Sequence, residues 1–198
     1  APNATSKSAL FGTFTFDPGF LGYLPVGGTS LRGTIIPGGS SMVVAPLSGD
    51  GPAGAPRLID AVTGAPRIEL QPLLEGTRDV RFGASGDGHF IAELALRDLG
   101  RPQLAVLDLA TGKQIGPVTE LGPSWSRPAL DADGSHVAVI DDRTGETVVY
   151  ESESGNEVAR LPGVPGATHE GFDDGGGAVG YGPDGNLYVG SRTDRLRV

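Results

Sequence analysis

The side chains best suited to chemistry in this sequence are three histidines, a few clustered aspartates and one isolated glutamate. His89 and His136 open two apolar runs at equivalent places, while His169 stands apart. Divalent metals take roughly three or four N, S or O ligands, and no third ligand recurs beside these two. They read as solvent-facing or locally bonded strand residues, and no metal is expected. Asp131-x-Asp133-Gly134 and Asp173-Asp174-Gly175 have the letters of a calcium loop. Calcium wants about six to eight oxygens, more than these stretches supply. A β-turn asks for the same residues, because Asp accepts hydrogen bonds from its own backbone two positions on.

Nucleophilic and phosphate chemistry are equally thin. The chain has no cysteine and no Gly-x-Ser-x-Gly elbow. The glycine-rich stretches 27–33 and 174–180 are followed by no Walker Lys-Ser/Thr pair, so no phosphate cradle and no cofactor are expected. Glu93 is the oddest charge, lying inside the run HFIAELAL (89–96). Strand alternation places it on the face of Ile91 and Ala95, as a buried acid near a central channel or an edge residue beside an arginine. Trp125, the only tryptophan, stands two residues from Arg127. Aromatic and arginine side chains dominate binding hot spots, so this pair is a candidate binding element; packing between repeat units is the alternative. Asp98, Arg101, Asp142 and Arg143 fall in loops between runs and are the other candidate binding residues. No catalytic residue is assigned.

The elements that must position these residues come from a repeat. Four times the chain gives an apolar run, a glycine turn and a second apolar run. The first turns are Gly38-Gly39, Asp87-Gly88, Asp133-Gly134 and Asp184-Gly185, with their glycines 49, 46 and 51 residues apart. Second turns follow at Thr63-Gly64, Thr111-Gly112 and Ser154-Gly155. A period of about 40–50 residues with several short strands per unit means a propeller or a similar array. Glycine suits such hairpins because it tolerates positive φ without a Cβ clash. Gly (33) and Pro (16) punctuate the chain so often that several long helices are excluded. The expected fold is all-β, about four four-stranded units. Their bounds are 30–76, 77–122, 123–166 and 167–198, the last incomplete, after an N-terminal tail at 1–29.

The closing signatures Ile59-Asp60-Ala61-Val62-Thr63-Gly64, Leu107-Asp108-Leu109-Ala110-Thr111-Gly112 and Tyr150-Glu151-Ser152-Glu153-Ser154-Gly155 carry a family likeness, as does Tyr181-Gly182-Pro183-Asp184-Gly185. Over roughly residues 30–198 the chain resembles the WD-repeat β-propeller family. The first three stand where that family has Trp-Asp and a Thr-Gly turn, and the last is similar to its Ser-Pro-Asp-Gly turn. The tryptophan of the Trp-Asp pair and the opening Gly-His pair are missing in every copy. The resemblance implies a β-propeller used as a non-catalytic scaffold or sensor module for a protein partner, part of a larger bacterial regulatory or signalling protein in the cytoplasm. Three assemblies are compatible with it: a closed four-bladed ring, half of a larger ring completed by self-association or another chain, and a piece of a longer protein. ALFGTFTF (9–16) alternates as a half-buried strand and is the expected closing strand beside 195–198. A small-molecule or enzymatic propeller with a channel-mouth site is the second reading. An exported propeller, secreted or periplasmic after signal-peptide removal, is the third, prompted by the Ala1-Pro2 start.

Charge narrows the partners. The formal net charge is −9. A surface that tracks phosphates needs the opposite sign, so nucleic acid is excluded as a partner. No apolar run is long enough to span a membrane as a helix.

Overall fold

The computed structural model describes residues 30–48, 51–52, 54–71, 77–97, 101–123, 125–141, 144–163, 177–191 and 196–197. All regular structure among them is β, in four antiparallel sheets. The first sheet holds β1 (Ser30–Ile35), β2 (Ser41–Ser48), β4 (Arg57–Asp60) and β5 (Pro66–Glu69), with the short β3 (Gly51–Pro52) paired on β2. The second runs β6 (Thr77–Ala84), β7 (Phe90–Arg97), β8 (Gln103–Asp108) and β9 (Gln114–Glu120). The third runs β10 (Trp125–Leu130), β11 (His136–Asp141), β12 (Thr147–Glu151) and β13 (Glu157–Leu161). The fourth holds β14 (Gly177–Tyr181), β15 (Leu187–Ser191) and β16 (Leu196–Arg197). Each is a meander in which successive strands are neighbours, apart from β3, which pairs only with the end of β2. The candidate closing strand at 9–16 lies outside the described residues.

Local chemistry explains the hairpins. In the first turn of three sheets an aspartate carboxylate accepts the backbone N–H two residues on: Asp87 from His89 (2.9 Å), Asp133 from Ser135 (3.1 Å) and Asp184 from Asn186 (3.1 Å). The glycine that follows takes φ of 75°, 75° and 78° at Gly88, Gly134 and Gly185, which a side chain would resist. The second turns share another lock. The carbonyls of Asp60, Asp108 and Glu151 each accept the N–H of a glycine four residues on, at 2.8 Å. Asp60 and Asp108 also accept the N–H of the threonine three residues on. The acid of the closing signature therefore holds its own turn. Asp141 to Gly145, between β11 and β12, repeats the same bonds in a different hairpin.

Packing turns four sheets into one body. Apolar strands β7 and β11 are buried on both faces. Ile91 joins Val43, Leu58 and Leu70 of the first sheet, whereas Leu94 joins Val137, Val139 and Val148 of the third. Burying a side chain of this size contributes about 1.5–3 kcal/mol. Most of the apolar core thus lies between sheets, and each sheet depends on its neighbours. The first strands of the sheets pack in series, β1 on β6, β6 on β10 and β10 on β14. Among the described residues there is no comparable packing of β14 on β1. The sheets fan around an axis lined by these four strands and form an open arc.

Candidate functional site

Two hollows stand out, both bordered by repeat-equivalent positions. One is a cavity of about 470 Å³ at the end of the axis where the first turns gather. Pro37, Ala84, Pro128, Asp131, Tyr181 and Pro183 line it, so all four sheets contribute. The other is a mostly apolar cleft of about 420 Å³ between the third and fourth sheets, bordered by Thr147, Val149, Leu161, Tyr181 and Leu187. Repeat alignment explains the cleft. Counting from the closing acids, Leu161 matches Leu70, Ala159 matches Ile68 and Thr147 matches Leu104. Leu70 is 2% exposed and Leu161 41%. Smaller residues at the other two positions leave the third interface underfilled, and the buried Thr147 Oγ1 has no hydrogen-bond partner.

Tyr181 borders both hollows. Burial pushes its phenol up to about 12, so it stays a neutral donor at physiological pH. The sequence reading missed Tyr181 and Thr147. Only the position of Tyr181, at the end of the run before Asp184-Gly185, hinted at a place on the axis.

One cluster has the composition of a catalytic triad and the wrong geometry for one. Ser135 Oγ and Asp131 Oδ2 both lie 2.9 Å from the same imidazole nitrogen, His136 Nδ1. The Ser135 hydroxyl donates to Asp131 at 2.8 Å. A nucleophilic relay needs serine and aspartate on opposite ring nitrogens. Here all three side chains close on one another, and Asp131 Oδ1 also accepts the His136 backbone N–H at 3.1 Å. The cluster is a turn lock. His89 is exposed and 3.4 Å from Asp87, and His169 lies outside the described residues.

Among the predicted binding residues, Trp125 and Arg127 both fall on β10, on the axis. The Trp125 Cα pairs with Asp141 across the ladder. Arg127 is the bulged residue between Ser126 and Pro128, exposed, with φ 48°. Arg101 sits far from the first turns, at the opposite hairpin end of the second sheet. It is exposed and 3.5 Å from Glu120, a surface pair worth roughly 0–1 kcal/mol. Asp98, Asp142 and Arg143 lie outside the described residues. Glu93 is 3% exposed, opposite Phe82 and Ala105 in the ladder. It lies on the face turned to the first sheet, the face of Ile91, away from the axis, and among the described residues it pairs with no arginine.

Solved structures share this arrangement of sheets around an axis. KlAtg21, solved in complex with the coiled coil of AgAtg16, matches with a TM-score of 0.64 at 12% identity, over 85% of this chain and 52% of that one. The fold is a β-propeller. The propeller domain of Cps50 (Swd1) from Myceliophteria thermophila matches at TM-score 0.60 and 18% identity, over 86% of this chain and 51% of that one. Kuenenia stuttgartiensis hydrazine synthase matches at 0.57 and 20%, over 81% and 49%. The chain thus spans about half the length of these chains, which fits the open arc of four blades. No protein-family model and no curated protein matches the sequence.

Proposed function

We propose that this partial propeller is a non-catalytic binding platform for a protein partner, working within a larger regulatory or signalling assembly. The observation that carries the reading is the cavity at the turn end of the axis. Four blades converge on it, and its one carboxylate, Asp131, is engaged by Ser135 and His136. A rigid concave wall of that size suits an inserted side chain or a short peptide segment. The complex of KlAtg21 with a coiled coil supports the reading by analogy, because one fold hosts many functions.

Ala132 gives the test. It lines the cavity and is exposed, so its side chain carries no core packing. Ala132→Trp narrows the cavity while leaving the core alone. Peptides selected on the wild-type chain by display should bind Ala132→Trp at least about tenfold more weakly, with the melting temperature little changed. Equal binding to both proteins places the partner elsewhere, and failure to select any peptide overturns the platform.

A further inference from the structure

The repeat hides an alignment of charge. Gly39, Gly88, Gly134 and Gly185 are structurally equivalent, since each donates its N–H to the carbonyl three residues back in the first turn. Counting seven residues back from them gives Arg32, Arg81 and Arg127 in the first three blades, and Ala178 in the fourth. The ladders agree. Arg32 pairs with Ala45 and Arg81 with Leu94, matching positions on the second strands. Ile140, the matching position in the third blade, pairs with Ser126, and Arg127 is the residue bulged beside it. Three arginines on three neighbouring inner strands therefore stand at one level of the axis.

Their surroundings set them apart from the rest of the molecule. The chain has 24 acidic residues against 15 basic ones. On β1, β6, β10 and β14 the balance inverts: Arg32, Arg78, Arg81 and Arg127 against Asp79 alone. Arg32 already grips that carboxylate with two nitrogens, Nε to Oδ1 at 2.7 Å and Nη2 to Oδ2 at 3.3 Å. Such a fork matches the planar carboxylate. Arg81 lies two residues from Asp79 on the same strand. Val80 packs with Ala45 of the first blade, so alternation turns Arg81 toward the third, as it does Gly83, whose added Cβ would strike Pro128. Arg127 is the one non-glycine residue with positive φ among those described. A bulge re-aims a side chain, and strain held at an exposed arginine needs a reason beyond packing. Pro128, the next residue, lines the axial cavity.

The geometry points to an acidic peptide as the ligand: a carboxylate-bearing segment that enters the cavity and places its side chains on Arg81 and Arg127, beside the Arg32–Asp79 pair. This rests on the platform reading and names the partner's chemistry. The acids nearest the path, Asp131 in the cavity wall and Asp87, Asp133 and Asp184 in the first turns, each already accept hydrogen bonds from their own turns, and charges farther out are screened beyond about 8 Å at physiological salt.

The test uses the whole chain and a fluorescent peptide of alternating glutamate and glycine, read by anisotropy, with a lysine counterpart and inorganic phosphate as competitors. The acidic peptide should bind, weaken as salt rises, and weaken by about tenfold or more on Arg81→Gln with Arg127→Gln, since charge-assisted bonds are the ones lost. Arg160→Gln is the control. Arg160 lies on the outermost strand β13 and is held by Glu157 of that strand and by Glu146 of the β11–β12 turn, so affinity should not change. Equal binding by the double variant, equal binding of the lysine peptide, or full displacement by millimolar phosphate overturns the assignment. Display-selected peptides without acidic residues, sensitive to Ala132→Trp but indifferent to the arginine variants, would overturn the acidic ligand and leave the platform standing.

Discussion

At pH 8, Glu93→Gln will melt well above the wild type, and at pH 4.5 the two will nearly coincide. Glu93 is buried where the second blade meets the first, and desolvation pushes its carboxyl up to about 7. In the unfolded chain it has an ordinary carboxylate value near 4.5. Between those values the folded protein keeps a proton that the unfolded chain has lost, so stability falls as pH rises through this window. Above it both states are ionised and the penalty is complete, about 3 kcal/mol. Glutamine keeps the shape and never ionises. For a chain of this length the difference is roughly 6–10 °C in melting temperature at pH 8. Thermal melts of both proteins at the two pH values decide it. An offset equal at both pH values, or a wild type that is the more stable at pH 8, would show that Glu93 is solvated or paired.

Gly83→Ala should be the most damaging single methyl addition on the inner strands, costing about 3 kcal/mol. A Cβ at Gly83 would overlap the Pro128 carbonyl oxygen and lie 2.9 Å from its carbon, so backbone would have to move. Gly180 occupies the matching position in the fourth blade, five residues before the equivalent glycine. There an added Cβ meets nothing within 4 Å, and Gly180→Ala should change stability by no more than about 0.5 kcal/mol. The contrast comes from architecture: β6 has β10 against it, and β14 has no described strand on its far side. Urea unfolding of both variants measures it. Equal losses would mean that the fourth blade is as tightly flanked as the second.

How far the sequence reveals this molecule depends on the range of the interactions involved. Hairpins are legible because their causes sit within five residues: Asp133 caps its own turn, and Gly134 adopts the φ that turn needs. The expectation that the fold is a propeller holds for the same reason. Glu93 was half legible. Alternation within one strand marks it as buried, but which neighbour it faces depends on blade packing, so its place at an interface and not on the axis had to come from the structure. The cleft beside Thr147 was not legible, since it reflects three side-chain sizes set against a partner blade. The arginine arc lies between these cases. Arg32, Arg81 and Arg127 share a spacing from their glycines, yet that spacing gains meaning only once the first strands are known to line one axis. The Ser135–His136–Asp131 cluster shows the converse, because its letters suggest chemistry that a shared imidazole nitrogen denies.

An ordering of distances tests the openness of the arc directly. Pro37, Ala132 and Pro183 are exposed, and each lies two residues before the equivalent glycine in the first turn of blades one, three and four. The chain contains no cysteine, so cysteines introduced there accept spin labels without background. Double electron–electron resonance would compare the Pro37–Ala132 pair with the Pro37–Pro183 pair, each diluted into unlabelled protein to remove distances between molecules. An open arc places blades one and four farther apart than blades one and three, so the Pro37–Pro183 distance should be the longer. A Pro37–Pro183 distance shorter than Pro37–Ala132 would mean that blade four closes onto blade one in a four-bladed ring, and would contradict the open inner wall.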